Sequence, residues 1–362
     1  MSAARSTLDR LRARQRRRAA VVPVPRALRD REVRDRVDRG RRLDAIDLLM
    51  ERNRRRRDGD VEQALVTLRH DAFSELTGQS PRPDWPPACP DHFPDADGLP
   101  AVDVGELSAE RLASAIQHHG ALLVRGLLSD PQVELLVDDI DRGLDAQEAH
   151  LAGKPVKATT PWYVPFTPGP EYRRDLHRPF PDTGKLLAVE SPRAAFDTLE
   201  VFREIGLGDL VAEHLGERPA LSVKKWNLRR VPVIPDADWH QDGAFLGQGI
   251  RTVNVWITLS HCGKDAPGLD VVPCRLDHVV ETGTGGAHFE WSVGPGAVDQ
   301  IAGEAGVIRP VLAPGDALFF DELFLHRTGA SVGMARPRYT VESWFFAPSC
   351  YPEGGDQIPF AF

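Results

Sequence analysis

Cysteine is scarce in this 362-residue chain: Cys89, Cys262, Cys274 and Cys350 lie far apart, with no CxxC pair. That spacing excludes a disulfide framework or a zinc ribbon as the organising device and fits a reducing compartment. Lysine is also rare, 6 of the 45 basic residues, so positive charge is almost wholly guanidinium. No apolar run reaches the length of a membrane span, and the first residues hold no h-region of the kind a secretory signal needs. Aromatic residues are missing before Phe73, so the basic amino end lacks the rings on which single-stranded nucleic acid stacks. What is there, 41% hydrophobic and 27% charged residues, describes a globular protein with a substantial core, expected in the cytoplasm.

The formal charge of -8 conceals a split. Met1 to Arg57 carries 20 Arg against 8 acidic residues, net +12, and the remainder carries -20. The cluster Arg16, Arg17 and Arg18 would suit a mitochondrial transit peptide, but from Asp30 onward acids interleave with arginines, which transit segments avoid. Val33, Val37, Leu43, Ile46 and Met50 recur near helical spacing in that stretch, with opposite charges at i,i+3 and i,i+4, and predict charged amphipathic helices. Val61, Leu65, Leu68, Ala72 and Leu76 predict another after Gly59-Asp60. Residues 78–100 are Pro-rich, with too few free amides for regular structure. The domain boundary is set there: a helical Arg-rich extension with its linker over 1–98, and a second domain over 99–362.

Beyond the linker, LSAERLASAIQHHG reads as a helix capped by Ser108 and stopped by Gly120. ALLVRGLLS follows as a buried strand, and DPQVELLVDDIDRGLDAQEAHL as a helix with Pro131 in its first turn. Lys154 to Asp182 is a long irregular connection suited to covering a pocket, and a further helix is expected near Phe196 to Leu215. From Ala220 the chain changes character. ALSVKKWNLRRV, RTVNVWITLS, GLDVVP, GVIRPVLA, DALFFDELFLH and RYTVESWFFAP are short apolar or alternating runs between Gly/Pro turns, the pattern of an antiparallel sandwich or barrel. The fold class expected is mainly β with flanking helices (α+β).

The motif Trp239-His240-Gln241-Asp242-Gly243 puts an imidazole and a carboxylate at i and i+2, on one side of an extended strand. With 12 His and 33 Asp, about one His-x-Asp is expected by composition, so its companions must decide. His326 ends the apolar run DALFFDELFLH, and Arg338 opens RYTVESWFFAP after a Gly-containing turn. Two His and one carboxylate form the facial triad of non-haem Fe(II) oxygenases, which leaves coordination positions open. A dicarboxylate such as 2-oxoglutarate would chelate the metal at one end and leave its far carboxylate for a planar, permanently charged partner. Arg338 and Arg336 share the parity for that task; Arg338 is preferred because it begins the polar alternation Arg338, Thr340, Glu342, Trp344.

These residues resemble the phytanoyl-CoA dioxygenase family of Fe(II)/2-oxoglutarate-dependent oxygenases. The resemblance runs from about Leu99 to Pro348. It rests on HHGALLVRGLL, on WHQDGAF with NVWITL behind it, on APGLDVVPCRLDH, and on APGDALFFDELFLHRTG leading to RPRYTVESWFFAP. It implies a double-stranded β-helix, a cupin-like jelly roll, with His240, Asp242 and His326 as iron ligands and Arg338 on the far carboxylate of 2-oxoglutarate. It also matches Thr328 to a hydroxyl position two residues after the second His, and Asn227 to a co-substrate-binding Asn on the strand before His-x-Asp. The activity implied is hydroxylation of an unactivated C–H bond of a small molecule by dioxygen, with decarboxylation of the co-substrate to succinate. Where the family commonly has Pro-Gly-Ser-His, this chain has Pro273-Cys274-Arg275-Leu276-Asp277-His278. The carboxylate at position 242 leaves no vacancy for a halide and disfavours halogenation. Residues before Gly98 lie outside the resemblance.

Other readings stand beside this one. His288 and Glu290 form a competing His-x-Glu pair, but in a Gly-flanked loop. His118 and His119 sit at a helix end, where solvation or dipole stabilisation is the default. Trp239, Trp256 and Phe245 read as packing, and Arg173, Arg174, His177 and Arg178 as surface charge before an anion site. The main rival is a non-catalytic jelly-roll binding protein whose basic amino end engages nucleic acid or a partner, a use that the missing aromatics disfavour but leave open. A zinc hydrolase gives Arg338 no task. The Arg-rich composition points to a high-GC genome, and with it to secondary metabolism.

Overall fold

Alternation along the carboxyl-terminal strands separates two buried faces, one apolar and one that mixes Arg338, Thr340 and Asn254 with Trp256, Trp344 and Phe320. The computed structural model describes residues 22–78, 85–172, 184–233, 237–247, 249–352 and 355–362. The Arg16–Arg18 cluster and Arg173, Arg174, His177 and Arg178 lie outside the described residues. The strands are β1 Ala101–Asp103, β2 Ala121–Arg125, β3 Lys185–Leu187, β4 Ala220–Val231, β5 Thr252–Thr258, β6 Gly268–Val271, β7 Ala317–Phe320, β8 His326–Gly329, β9 Arg338–Phe346 and β10 Pro359–Ala361. A large sheet has the order β1-β2-β7-β5-β9-β4-β10, with β3 also on β4. Its pairings are antiparallel except β1 with β2. A small sheet pairs β6 with β8 and is widened by bridges from His240 to His326 and from Val271 to Ile308. The molecule is therefore mixed α/β, dominated by one large sheet.

Every residue of β5 is buried, because both of its faces are covered. Val253, Val255 and Ile257 join Val341, Phe345 and Phe319 in a core sealed by helices, while Trp256, Trp344, Leu318 and Phe320 meet Leu269 and Val271 of the small sheet in a second core. The helices over the outer face are α4 Ala109–His119, α5 Asp130–Leu151, α6 Pro192–Glu204 and α7 Leu207–Leu215, preceded by α1 Arg31–Val37, α2 Arg42–Arg55 and α3 Gly59–Asp71 and followed by α8 Pro295–Ala302. Ser108 caps α4 by accepting from the Arg111 amide at 3.2 Å. Gly120 stops it at φ 88°, where a Cβ would also meet the Cys274 carbonyl at 2.6 Å.

Three expectations need correction. The single helix near Phe196 to Leu215 is two, broken at Gly206 with φ 68°. GVIRPVLA forms isolated bridges at Ile308 and Leu312 instead of a strand, since Pro310 donates no ladder hydrogen bond. DALFFDELFLH is not one strand: β7 ends at Phe320, Asp321 accepts from the Leu323 amide in a turn, and β8 begins at His326 in the other sheet.

Helices α2 and α3 share a core with α6 and the large sheet: Ile46, Leu49, Leu65 and Leu68 pack with Phe196, Ala220 and Ala361. Most of the paired arginines of residues 22–78 meet acids of the same segment, such as Arg52 with Glu32 and Arg42 with Glu75, but two reach further. Arg54 grips Glu200 through two bonds of 2.7 and 2.8 Å, and Arg57 grips Asp197 through two of 2.5 and 2.9 Å. Glu62, fully buried, receives Arg57, Arg193 and Asn53, which is how a charge is kept in an interior.

Candidate active site

The turn between β7 and β8 brings His326 against His240. Their backbones exchange two hydrogen bonds, 3.0 and 3.1 Å, and their rings lie 4.5 Å apart. Each Nδ1 lies 2.9 Å from a backbone carbonyl, His240 from Asp238 and His326 from Phe324. A carbonyl only accepts, so Nδ1 carries the proton and the Nε2 lone pair is left for another partner. Burial, with the neighbouring imidazole, pushes His240 down to about 4, and burial lowers His326 as well. Both rings are thus neutral at pH 7, as metal ligands must be.

Asp242 arrives differently from the extended-strand expectation. It has φ -64°, ψ -23° and caps a single helical turn, Gly243–Leu246, so the chain bends at the motif. Its Oδ1 still lies 3.9 Å from His240 Nε2. Burial opposes its ionisation most, but the Lys225 ammonium, 2.9 Å away, together with His240 and His326, outweighs that and holds the carboxyl at about 2. Among the described residues no three His, Cys, Asp or Glu side chains form a preassembled metal cluster; Lys225 takes the cation's part on Asp242. The donor set of two free imidazole nitrogens and one ionised carboxylate oxygen fits a non-haem iron.

Along β9, Arg338 is wholly buried. Its Nη1 donates to the Gly268 carbonyl at 2.7 Å, while Nε and Nη2 have no hydrogen-bond partner among the described residues. The guanidinium lies 5.1 Å from the Trp256 ring centroid, and burial lowers its pKa to about 10, with Arg229 adding to the shift. Arg229 donates to Glu342 at 2.7 Å, and Asn227 Nδ2 to the same carboxylate at 3.2 Å. Asn227 Oδ1, Asn254 Oδ1 and Thr340 Oγ1 are likewise unpartnered. Each such buried polar atom costs about 1–3 kcal/mol; of these, Arg338 Nε and Nη2 and the Thr340 hydroxyl can donate to a carboxylate, whereas the two amide oxygens only accept, so the donors that fit a dicarboxylate's end are those of Arg338 and Thr340.

The remaining candidates disperse. Thr328 is half-buried on β8, two residues from His326 and on the same side of the strand. Arg336 is exposed in the preceding turn. His288 sits on the surface, 2.7 Å from Asp238 Oδ1, and Glu290 is exposed. His118 bonds the Cys89 carbonyl and His119 bonds Asp91. Trp239 packs in a small cluster behind the site, and Trp256 in the inner core. Lys225, Phe245 and Trp291 surround His240 and Asp242. Lys225 and Trp291 were missed because a lysine in an alternating strand reads as solvent-facing and a tryptophan in a Gly-rich loop carries no period.

Residues 116–338 match the family described as Phytanoyl-CoA dioxygenase, a span from α4 to the first residue of β9 that contains His240, Asp242, His326 and Arg338. The chain belongs to that family. Members of the phytanoyl-CoA dioxygenase family are oxygenases that use Fe(II) and 2-oxoglutarate, and this chain is a 2-oxoglutarate-dependent oxygenase. A comparison with curated proteins gives no match. Among solved structures, EctD from S. alaskensis with bound Fe is 16% identical, covers 75% of this chain and 85% of its own, and superposes with a TM-score of 0.48. EvdO2 from Micromonospora carbonacea var. aurantiaca, complexed with 2-oxoglutarate, is 17% identical over 67% of this chain and 89% of its own, at a TM-score of 0.39. No helix among the described residues is long and apolar enough to cross a membrane.

Proposed function

We propose that His240, Asp242 and His326 hold Fe(II), that Arg338, assisted by Thr328 and Asn227, holds 2-oxoglutarate, and that the enzyme hydroxylates an unactivated C–H bond of a small molecule. The two sheets are read as a double-stranded β-helix, a jelly roll over 99–362 behind the extension 1–98. The observation that carries this is Arg338: a wholly buried guanidinium with two unpartnered nitrogens, set in the inner wall and far better shielded than the exposed Arg336. The iron and its co-substrate supply dioxygen activation: substrate, O2 and 2-oxoglutarate become hydroxylated substrate, succinate and CO2. The protein contributes geometry. Carbonyls of Asp238 and Phe324 lock both imidazole tautomers, Lys225 keeps Asp242 ionised, and the apolar residues around Trp256 and Trp344 exclude water. Against the rival binding-module reading, Arg54 and Arg57, among the described residues, are engaged by the carboxylates of Glu200 and Asp197. Action in the cytoplasm, in secondary metabolism, completes the proposal.

The test requires no substrate. Anaerobic addition of Fe(II) and 2-oxoglutarate is expected to give a weak visible charge-transfer band in the wild type and none in Asp242→Ala. A wild type without the band sinks the assignment.

A further inference from the structure

The segment in which this chain departs from the family pattern, Pro273-Cys274-Arg275-Leu276-Asp277-His278, supplies none of the candidate ligands. It lies, however, between the two turns that carry them. On one side is the motif at 239–243, and on the other the turn at 321–325, which separates β7 from β8 and leads into His326. The Val272 amide donates to the Leu325 carbonyl at 3.1 Å, and Val272, Leu276 and Val280 pack with Trp239 and Leu325. Val279 comes so close to the motif that a Cβ at position 243 would meet its side chain at 2.8 Å, which favours the glycine found there.

Two side chains add polar bonds to this packing. Gln241, between His240 and Asp242 and wholly buried, spends both amide hydrogens on carbonyls, that of His278 at 3.0 Å and that of Leu323 at 2.6 Å. Its oxygen accepts from the Val280 amide at 2.7 Å. One carboxamide thus ties the motif, the departing segment and the β7–β8 turn together. Arg275 braces the same turn: its Nη1 donates to Asp321 Oδ2 at 2.5 Å, and Asp321 Oδ1 accepts from the Leu323 amide at 3.0 Å. Leu323 is therefore held at its amide and at its carbonyl, three residues before His326. A metal whose ligands come from two separate turns needs the spacing of those turns fixed by the groups behind them.

We propose that Gln241 and Arg275 are positioning residues for the metal centre, and that the segment replacing the family's Pro-Gly-Ser-His sets where His326 stands relative to His240 and Asp242. This rests on the reading of those three residues as metal ligands and deepens it by naming what spaces them.

The experiment titrates the full chain with Co(II) alone, well below the melting temperature of each variant. Co(II) accepts the same nitrogen and oxygen ligands as Fe(II), and its visible d–d bands report coordination geometry. Gln241→Met, which keeps the side-chain length and removes its hydrogen bonds, and Arg275→Met are each expected to bind Co(II) about tenfold to a hundredfold more weakly than the wild type, the range for losing an outer partner of a ligand, with altered d–d bands. Arg57→Met, far from the motif in sequence and outside this clamp, is the control: it should lower Tm and keep wild-type affinity and bands. Wild-type affinity and bands in either clamp variant that folds, or an equal loss in Arg57→Met, would overturn the proposal. Arg275 is partly exposed, so its variant carries the test should Gln241→Met fail to fold. A wild type that binds no Co(II) defeats the ligand assignment itself, whereas normal wild-type binding with unaltered clamp variants defeats the positioning role alone.

Discussion

A carbonyl oxygen has no proton to give, and that fact fixes the tautomer of both histidines from the atoms behind them. The residues proposed here as ligands were legible in the sequence as candidates, because His-x-Asp, a later His at a strand end and an Arg at the next strand start are local patterns. The way Asp242 reaches its place was not, since i,i+2 parity serves an extended strand and a helical turn after a bend equally well. Arg338 illustrates what burial adds: parity admits Arg336 too, and only the closed wall separates them. Two charge-assisted hydrogen bonds of about 1.5–3 kcal/mol each are at stake at the guanidinium. Arg338→Met is expected to raise KM for 2-oxoglutarate by more than about a hundredfold, measured by succinate release, with the proposed metal-binding residues untouched.

Between elements, the contact of α2 and α3 with α6 is where the arginines act. Capping, breaks and amphipathic faces announced these helices, but no periodicity says which carboxylate an arginine will meet, because that pairing joins residues more than a hundred positions apart. Arg57→Met leaves Asp197 and Glu62 short of a partner. Breaking a buried pair costs about 3–5 kcal/mol; Arg57 is partly exposed, which lowers the expected loss to about 2 kcal/mol, readable in urea unfolding. Asp139 on α5 works in the opposite sense. Burial, reinforced by the charge of Asp197, pushes its carboxyl from 3.8 up to about 8. The native state therefore holds a proton that the unfolded chain releases, and stability falls as pH rises across that window. Asp139→Asn is expected to raise Tm, by more at pH 8 than at pH 5, and an equal gain at both would refute the account.

Across the whole molecule, the charge asymmetry becomes complementarity. Among the described residues, Arg54 and Arg57 lie against Glu200 and Asp197, and the apolar side chains of α2 and α3 complete a core shared with Phe196, Ala220 and Ala361. Sheet content was readable from strand spacing, whereas the division into large and small sheets was hidden in the turn at Asp321, where one apolar run feeds both. Ligands that bind only the folded chain stabilise all of it, by about 2.7 kcal/mol at a hundred times Kd. Anaerobic Fe(II) is expected to raise Tm, and 2-oxoglutarate to raise it further; Arg338→Met should keep the first increment and lose the second. The reciprocal hydrogen bonds between the backbones of His240 and His326 carry one more consequence. The frame of the centre is main chain, independent of the rings mounted on it, so His326→Gly is expected to keep that frame and to regain part of its succinate release when free imidazole is added, and no regain at any imidazole concentration would refute this.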